Sequence, residues 1–454
     1  MKVTEASHVV AIVGGACSGS VVAEELSRRG CQVLVFEQNQ RPYGKIEDGL
    51  PRWHRAQREL EYRKIDARLD RPGVHFVPRT RLGRDLDFLD LAQRWGLSAL
   101  VLANGAWKDR PLEAPGAADC VGRGLVYQNP LVYWFNHKNE AGYQGPRYRI
   151  EPGTIVVGGG LASIDVIKIV QLELYERALR ERGIDDVDMH EMEVDGIPRY
   201  LAKKGIDDPE SLGVRPGLLL YRRRVEDMPL ATAPKNAKPR IKERLPQVRR
   251  KILQKCRDKF LFDFQERRLT KEVIIEDGRL RGLVVYETEV EGRTVTPKEG
   301  SEHELRADLV ISSIGSIPEP IEGIEMQGSY YRFKDWDTGE YAALPGVFGA
   351  GNVVTGQGNI VASVEHARFV AEHVAERYLG VSGDGRRDAA AASATAEAAG
   401  TATADAVTAH LDGREPLPAK TVQGLLERVA ARQREVGYGG YRSWIEAVTP
   451  PDME

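Results

Sequence analysis

Two glycine-rich turns in this sequence have the composition of loops that hold the phosphates of a dinucleotide. The first, Gly14-Gly15-Ala16-Cys17-Ser18-Gly19, lies between an apolar run at residues 8–13 and a helical stretch at residues 21–29. In the pattern G-x-G-x-x-G, the first glycine permits a tight turn, the second admits a pyrophosphate to the backbone amides, and the third allows close packing of helix and strand. Ala16 replaces the middle glycine, which weakens the pattern without abolishing it. We therefore predict a dinucleotide site at this turn.

An acidic residue follows the first turn at the spacing that ribose binding requires. The next β-rich run, residues 32–37, ends at Glu37, 23 positions after Gly14. A carboxylate at the end of this strand can accept hydrogen bonds from a ribose diol. The alternative is a glycine-rich turn with an incidental acid. The order of strand, turn, helix, strand and acid favours a nucleotide-binding unit.

The second turn, Gly158-Gly159-Gly160-Leu161-Ala162-Ser163, lies between an apolar run at residues 154–157 and a helical stretch at residues 162–173. No acid closes the next predicted strand, residues 217–221, and Arg222-Arg223-Arg224 follows it directly. Guanidinium groups pair with a 2′-phosphate, which a carboxylate would repel. The alternative is a solvated basic loop. We predict that NADP(H) is bound here by Gly158, Gly160, Leu161, Ala162, Arg222 and Arg223.

The order of the apolar runs places the second nucleotide unit inside the domain that begins with the first. Later runs at residues 99–106, 307–315 and 346–352 are typical of strands that end at a cofactor edge, and a helical stretch follows at residues 359–378. The predicted fold class is α/β, with two Rossmann-like dinucleotide-binding domains, one inserted into the other. The predicted boundaries are 1–112 and 318–380 for the split domain, 113–317 for the inserted domain, and 381–454 for a linker (383–408) and a helical tail (420–433).

Composition excludes several classes of protein. The 454 residues are 42% hydrophobic and 29% charged, with a formal net charge of -3, which argues against a basic nucleic-acid-coating protein and an acidic disordered one. The four cysteines form no CxxC, so a disulfide framework, a metal or iron–sulfur ligand set and a redox dithiol are not expected. The N-terminus lacks the pattern of a signal peptide, and no apolar run reaches the ~18 residues of a membrane helix. We expect a soluble, cytoplasmic protein.

These features resemble the two-dinucleotide-binding-domain flavoproteins, and above all the adrenodoxin-reductase-like ferredoxin–NADP reductases, with the glutamate synthase small subunit nearby. The resemblance covers residues 8–375. Pro42-Tyr43-Gly44, followed by Gly49 to His54, is similar to the family's Pro-Phe-Gly and Gly-Val-Ala-Pro-Asp-His stretch, with equal spacing to the histidine. Leu102 to Ala106 is similar to its Leu-Ser-Tyr-Gly-Ala segment, and Ile311 to Gly315 to its second interdomain strand end.

The resemblance implies FAD in the split domain, NADPH in the inserted domain, and delivery of single electrons to a ferredoxin-type iron–sulfur protein. It places His54 and Asp165 near the flavin as candidate catalytic groups, although a packed histidine and a solvated helix acid are the alternatives. It also brings the late segment beginning at Gly351 to the flavin ring. The residues expected to hold FAD are Gly14, Gly15, Ala16, Ser18, Gly19, Glu37, Gly44, Asn104, Gly105, Gly351, Asn352, Gln357, Gly358, Asn359 and Ile360.

A strongly basic segment follows the arginines of the second unit. From Arg222 to Lys259 there are 14 lysines and arginines and 4 acids, an excess of 14 - 4 = +10. Ferredoxins are generally acidic, so a basic face would steer them. A solvated helix face is one alternative, and a nucleic-acid patch is disfavoured because no aromatics interleave the charges. The candidate partner-binding residues are Lys238, Arg240, Lys242, Arg244, Arg249 and Arg250.

Two rival functions remain open from the sequence. One is a flavin-dependent monooxygenase or oxidase, and the other is a non-catalytic flavoprotein subunit of a redox complex, which Ala16 and the long tail favour. The missing CxxC argues against the thioredoxin-reductase and lipoamide-dehydrogenase branches. No cysteine-rich cluster segment precedes His8, so the intramolecular electron route of the glutamate synthase small subunit is not expected.

Overall fold

The computed structural model describes residues 5–140, 142–233, 238–381 and 415–450. The chain forms two compact units: unit 1 comprises residues 1–50, 54–108 and 316–454, and unit 2 comprises residues 51–53 and 109–315. The inserted unit thus runs from 109 to 315, whereas the sequence placed its limits at 113 and 317. The predicted linker, residues 383–408, lies outside the described residues, and residues 415–450 belong to unit 1.

The strands and helices are numbered here in chain order. The strands are β1 (Val9–Val13), β2 (Gln32–Phe36), β3 (Val74–Val77), β4 (Ala99–Leu102), β5 (Lys108–Asp109), β6 (Leu125–Tyr127), β7 (Ile155–Gly158), β8 (Leu218–Tyr221), β9 (Asp263–Glu266), β10 (Arg268–Glu276), β11 (Arg279–Glu291), β12 (Thr294–Pro297), β13 (His303–Arg306), β14 (Val310–Ser313), β15 (Ser316–Ile317), β16 (Met326–Gln327), β17 (Tyr330–Tyr331) and β18 (Val347–Gly349). The helices are α1 (Cys17–Arg28), α2 (Lys45–Asp48), α3 (Arg55–Leu69), α4 (Gln128–His137), α5 (Leu161–Glu181), α6 (Met189–Asp195), α7 (Ile197–Lys203), α8 (Pro239–Phe260), α9 (Asn352–Thr355), α10 (Ile360–Glu372), α11 (Ala419–Val436) and α12 (Tyr441–Val448).

Unit 1 is built on a parallel sheet with the strand order β18-β4-β1-β2-β3. Its strands are apolar on both faces, as a parallel sheet covered on both sides requires. Val10 and Ile12 belong to the core on one face, which they share with residues of α1 and α10. Val9 and Ala11 belong to the core on the opposite face, which they share with residues of α11.

Unit 2 repeats this architecture with the parallel order β6-β14-β7-β8-β9 and adds an antiparallel sheet of β10, β11, β12 and β13. The two Rossmann-like sheets confirm the predicted α/β fold class. Helix α5 continues to Glu181, beyond the predicted end at residue 173, because apolar residues such as Leu174 and Leu179 keep one face buried. Among the described residues, no helix is both long and apolar enough to cross a membrane.

Candidate nucleotide-binding sites

The first glycine turn connects β1 to α1 and lies against the end of β4. The Gly14 amide donates to Phe36 O at 2.8 Å, and Gly14 has φ +95°. A Cβ at Gly14 would lie 2.6 Å from Ala103 O, and a Cβ at Gly19 would lie 1.8 Å from Gly14 O. Both positions therefore require glycine, and the turn brings Asn104 and Gly105 to the same edge of the sheet as the N-terminus of α1.

Ala16, at the position of the expected middle glycine, precedes the first turn of α1. A Cβ built at Gly44 would lie 3.0 Å from the Ala16 methyl carbon, and Gly44 itself has φ +52°. The methyl group therefore lies beside a backbone that carries no side chain. The amides at the start of α1, including those of Cys17 and Ser18, keep the partial positive charge that attracts a phosphate.

Glu37 is buried directly beside the first turn. Its Oε2 accepts a hydrogen bond from the Gly15 amide at 2.8 Å, and its Oε1 accepts one from the Asn39 amide at 2.9 Å. Burial raises the pKa of Glu37 to about 7, although the two amide donors favour the ionised form. The carboxylate is thus fixed at the end of β2, where its remaining lone pairs can accept hydrogen bonds from a ribose diol.

Gly351, from the C-terminal part of unit 1, lies against the start of α1 beside the first glycine turn. It has φ +75°, and a Cβ there would lie 1.8 Å from Ser18 Oγ, so the turn before α9 lies against α1. The Gly351 amide donates to His366 Nδ1 at 2.9 Å, and the other ring nitrogen lies 3.2 Å from Trp336 O. Burial lowers the pKa of His366, which favours the neutral ring that can accept at Nδ1. Sequence reasoning missed this histidine because the contact joins residues 15 positions apart in a helix and a turn.

Two buried side-chain oxygens at this edge have no hydrogen-bond partner among the described residues: Asn104 Oδ1 and Asn352 Oδ1. Asn104 is fixed through its Nδ2, which donates to Tyr331 OH at 2.9 Å, and Tyr331 OH donates to Glu319 O at 2.8 Å. A buried acceptor without a donor costs folding free energy. Each oxygen is therefore available to accept a hydrogen bond from a hydroxyl or amide of a bound molecule. The hydroxyl-rich ribityl chain of FAD fits that requirement.

The other residues of unit 1 that the sequence predicts at the FAD site or as catalytic groups lie in a helix cap, a turn and the starts of two helices. Asn359 Oδ1 accepts from the Ala362 amide at 2.7 Å and caps α10, so Asn359 serves the helix. Gln357 and Gly358 are exposed in the turn before it, and Ile360 is the first residue of α10. His54 is half-buried and immediately precedes α3.

The second glycine turn connects β7 to α5 and lies against the end of β14. A Cβ at Gly158 would lie 2.3 Å from Ser313 O, and one at Gly159 would lie 2.1 Å from the Tyr221 ring. Ser163 Oγ donates to Ser313 O at 2.9 Å and ties the first turn of α5 to β14. Gly160 precedes α5, and the first two residues of this helix, Leu161 and Ala162, are exposed. The N-terminus of α5 is thus open to an anion.

The three arginines after β8 differ in their surroundings. Arg223 donates to Arg293 O at 2.8 Å and to Gly292 O at 2.6 Å, and Arg224 Nε lies 3.0 Å from Asp227 Oδ2. Arg222 is exposed, and its guanidinium has no hydrogen bond or ion pair to a described residue. Its backbone is fixed, since Arg222 O accepts from Thr288 Oγ1 at 2.7 Å. Arg222 is therefore the arginine best placed to pair with a phosphate.

Asp165 belongs to an ion-pair cluster in unit 2 that sequence reasoning missed. Its Oδ1 lies 3.6 Å from Lys168 Nζ, and the same ammonium lies 2.7 Å from Glu193 Oε1. Lys168 is buried and lies over the rings of Trp53 and Phe260 at 4.4 and 4.9 Å. Asp165 and Glu193 thus compensate the charge of the buried Lys168 ammonium. This role is structural and is separate from any role in catalysis.

The second part of the basic segment forms the 22-residue helix α8, which begins directly after Lys238, and the candidate partner-binding residues along it differ in their contacts. Arg249 donates to Ala231 O and Glu226 O, and Arg250 pairs with the Glu226 carboxylate, so both hold the helix to unit 2. Lys238, Arg240, Lys242 and Arg244 are exposed, as are the apolar side chains of Ile241 and Val248.

The comparisons with known proteins agree with this architecture. A family model described as an NAD(P)-binding Rossmann-like domain matches residues 12–59, which contain the first turn and Glu37. The glutamate synthase [NADPH] small chain of Mycobacterium tuberculosis is 27% identical over 390 residues, which cover 82% of this chain and 67% of that protein. The corresponding protein of Azospirillum brasilense is 22% identical, over 80% of this chain and 65% of its own length. This chain thus spans about two thirds of the length of these relatives.

A second group of similar proteins consists of ferredoxin reductases. The NADPH-ferredoxin reductase FprA of Mycobacterium leprae is 24% identical over 354 residues, covering 71% of this chain and 73% of that protein. The structure of Mycobacterium tuberculosis FprA in complex with NADPH superposes with a TM-score of 0.63 at 17% identity, over 94% of this chain and 91% of that one. At this identity the superposition shows a shared fold. Over most of its length the chain is thus similar in sequence to glutamate synthase small chains and to FprA, and it shares the fold of FprA.

Proposed function

We propose that the protein is an NADPH-dependent flavoprotein oxidoreductase in which unit 1 holds FAD and unit 2 holds NADPH. The observation that carries the proposal is the opposite chemistry of the two strand ends. Glu37, beside the first turn, is a buried hydrogen-bond acceptor suited to a ribose diol, and Arg222, beside the second, is an exposed cation suited to a 2′-phosphate. One chain thus offers sites for two different dinucleotides.

FAD, when bound, accepts a hydride from NADPH and can release the electrons singly. In unit 1, the amides at the start of α1 would bind the pyrophosphate, and Asn104 and Asn352 would accept hydrogen bonds from the ribityl hydroxyls. In unit 2, the amides at the start of α5 would bind the NADPH pyrophosphate, and Arg222 would hold the 2′-phosphate. We propose His54 and Asp165 as candidate catalytic groups, which the family resemblance implies.

We further propose that the electron acceptor is a ferredoxin-type iron–sulfur protein that binds α8. The exposed side chains of Lys238, Arg240 and Arg244 have no ion pair or hydrogen bond to a described residue and can attract an acidic partner. Ile241 and Val248, exposed at 50% and 40%, supply apolar area on the same helix. The combination of exposed apolar residues and surrounding charge is typical of a transient docking surface.

An anaerobic absorbance titration tests the reductase function. We expect a yellow protein that NADPH bleaches, NADH bleaches less effectively, and oxidised ferredoxin restores. Rapid NADPH consumption in air with stoichiometric peroxide, and no transfer to ferredoxin, would support an oxidase instead. A bound flavin that NADPH cannot bleach would support a non-catalytic subunit.

Charge reversal on α8 tests the docking surface separately. We expect Arg240→Glu to slow ferredoxin reduction about threefold to tenfold at low salt, and less at high salt, because a steering charge is reversed. The matched control is Arg94→Glu, an exposed reversal in unit 1. An equal effect of both variants would show that only net charge matters. NADPH reduction of the flavin should stay unchanged in either variant.

A further inference from the structure

The C-terminal helices α11 and α12 belong to the core of unit 1. From α11, Val422, Leu425 and Val429 pack in the core on one face of the parallel sheet. From α12, Tyr441 and Trp444 pack in the core on the opposite face. Their polar atoms reach two strand-end loops, defined here as residues 37–44 after β2 and residues 78–80 after β3.

Helix α12 holds the loop after β2 through two contacts. Trp444 Nε1 donates to Gln40 O at 2.7 Å. Tyr441 OH donates to Asp66 Oδ1 at 2.8 Å, and the same carboxylate oxygen accepts from Tyr43 OH at 3.0 Å. Asp66 therefore joins a tail tyrosine to a loop tyrosine, and the loop that begins at Glu37 is fixed at Gln40 and again at Tyr43.

Helix α11 holds the loop after β3, which in turn holds Glu37. Arg432 Nη2 donates to Arg79 O and Arg432 Nε donates to Thr80 Oγ1, both at 3.1 Å. The Thr80 amide donates to Glu37 O at 2.8 Å, and the Arg79 amide donates to Asn39 O at 3.1 Å. Arg79 adopts φ +52°, which is unfavourable for a residue with a side chain and persists only where its surroundings impose it.

We propose that α11 and α12 are part of the cofactor-binding structure, with Arg432, Tyr441 and Trp444 as positioning residues for the adenosine half of FAD. The carboxyl ends of β1 and β2 are where a Rossmann unit binds adenosine. A site whose loops are already fixed loses less conformational entropy when it binds its ligand. The identity of the cofactor rests on the proposed function, whereas the contacts are those of the chain itself.

The chain offers a matched control on α11. Arg428 lies one helical turn before Arg432, donates to Asp90 Oδ2 at 3.0 Å, and stacks its guanidinium 3.8 Å from the centre of the Trp95 ring. Its partners are thus Asp90 and Trp95, so Arg428 ties the same helix to unit 1 without a hydrogen bond to the loops after β2 and β3. If the tail only stabilises the unit, Arg428→Met and Arg432→Met should act alike.

The experiment measures FAD release from wild-type, Arg428→Met and Arg432→Met holoprotein as the rise in flavin fluorescence on dilution. The Tm of each apoprotein is measured as well. We expect Arg432→Met to release FAD about fivefold to tenfold faster than Arg428→Met, as loss of one or two hydrogen bonds to the loops implies. We expect the two apoprotein Tm values to fall by similar amounts. NADPH affinity should not change.

Tyr441→Phe provides a second, milder variant, because it keeps the ring in the core and removes only the donor to Asp66. We expect it to accelerate FAD release about threefold with little change in Tm. If the wild-type protein retains FAD and neither Arg432→Met nor Tyr441→Phe releases it faster than Arg428→Met, the inference is overturned. A wild-type protein that binds no FAD would instead overturn the proposed function on which the inference rests.

Discussion

In unit 1 the glycine turn of residues 14–19 lies beside a buried carboxylate, whereas in unit 2 the turn of residues 158–163 lies beside exposed arginine. The surrounding backbone is similar: each turn leaves a parallel strand, abuts the end of a neighbouring strand, and begins a helix. Glu37 is held by two backbone amides, but the Arg222 guanidinium has no partner among the described residues. We therefore propose that the residue after the second strand, rather than the turn, sets the ligand preference of each unit.

The turns also differ in where they require glycine. In unit 1 the sixth position must be Gly19, because a Cβ there would overlap Gly14 O. In unit 2 the sixth position is Ser163, whose hydroxyl bonds to Ser313 O and occupies the space beside Gly158. The backbone of the second turn therefore leaves room at this position for a side chain, which the first turn does not.

The largest effect is expected from a side chain at the obligatory glycines. We expect Gly19→Ala to destabilise unit 1 by about 3 kcal/mol and to weaken FAD binding more than about 100-fold, because the new carbon would overlap Gly14 O. Gly158→Ala should instead abolish NADPH binding and spare FAD. FAD content, NADPH affinity and Tm measure these outcomes. Gly424→Ala, in open space on α11, is the control and should leave both cofactors bound.

The second-largest effect is expected at the arginines after β8. We expect Arg222→Gln to raise the KM for NADPH about tenfold to thirtyfold with little effect on NADH, since one charge-assisted pair with the 2′-phosphate is lost. Arg223→Gln is the matched control, because Arg223 already binds the carbonyls of Gly292 and Arg293. It should change the KM for NADPH less than about threefold. Equal losses for NADPH and NADH in Arg222→Gln would contradict the phosphate assignment.

Local sequence patterns predicted the two turns and the residues that follow their second strands, because these features depend on neighbours along the chain. The long-range contacts had no such signal. Nothing in the sequence near Gly351 indicates that His366 holds its amide, and nothing near Gln40 indicates Trp444.

Helix α8 is an intermediate case. A solvated helix face is only one of the interpretations that the sequence allows for this segment, and the structure shows a helix of 22 residues that includes Pro246. The apolar residues Ile241, Leu245 and Val248 follow helical spacing and could have revealed it. Residues 382–414, which include the predicted linker, lie outside the described part of the chain.

A pH dependence should distinguish the two units. The pKa of Glu37 rises from its ordinary value of 4.5 to about 7 in the folded protein, so the apoprotein is stabilised at low pH and loses that contribution as pH rises through 7. Ribose hydroxyls donate to the ionised form, so FAD affinity should rise up to about tenfold between pH 6 and 8, with proton release. Calorimetry in two buffers of different ionisation enthalpy measures the release. Glu37→Gln should bind FAD more weakly and show neither effect.

The smallest effect is expected at Ala16, the departure from the glycine pattern. The Ala16 methyl group lies against Gly44, which has no side chain and adopts φ +52°. We expect Ala16→Gly to change FAD affinity by less than about threefold, since it removes one methyl contact and slightly favours the helix start. Equilibrium titration of apoprotein with FAD measures the change. A gain of more than about tenfold would show instead that the methyl obstructs the pyrophosphate, and that the turn of unit 1 is the weaker nucleotide site.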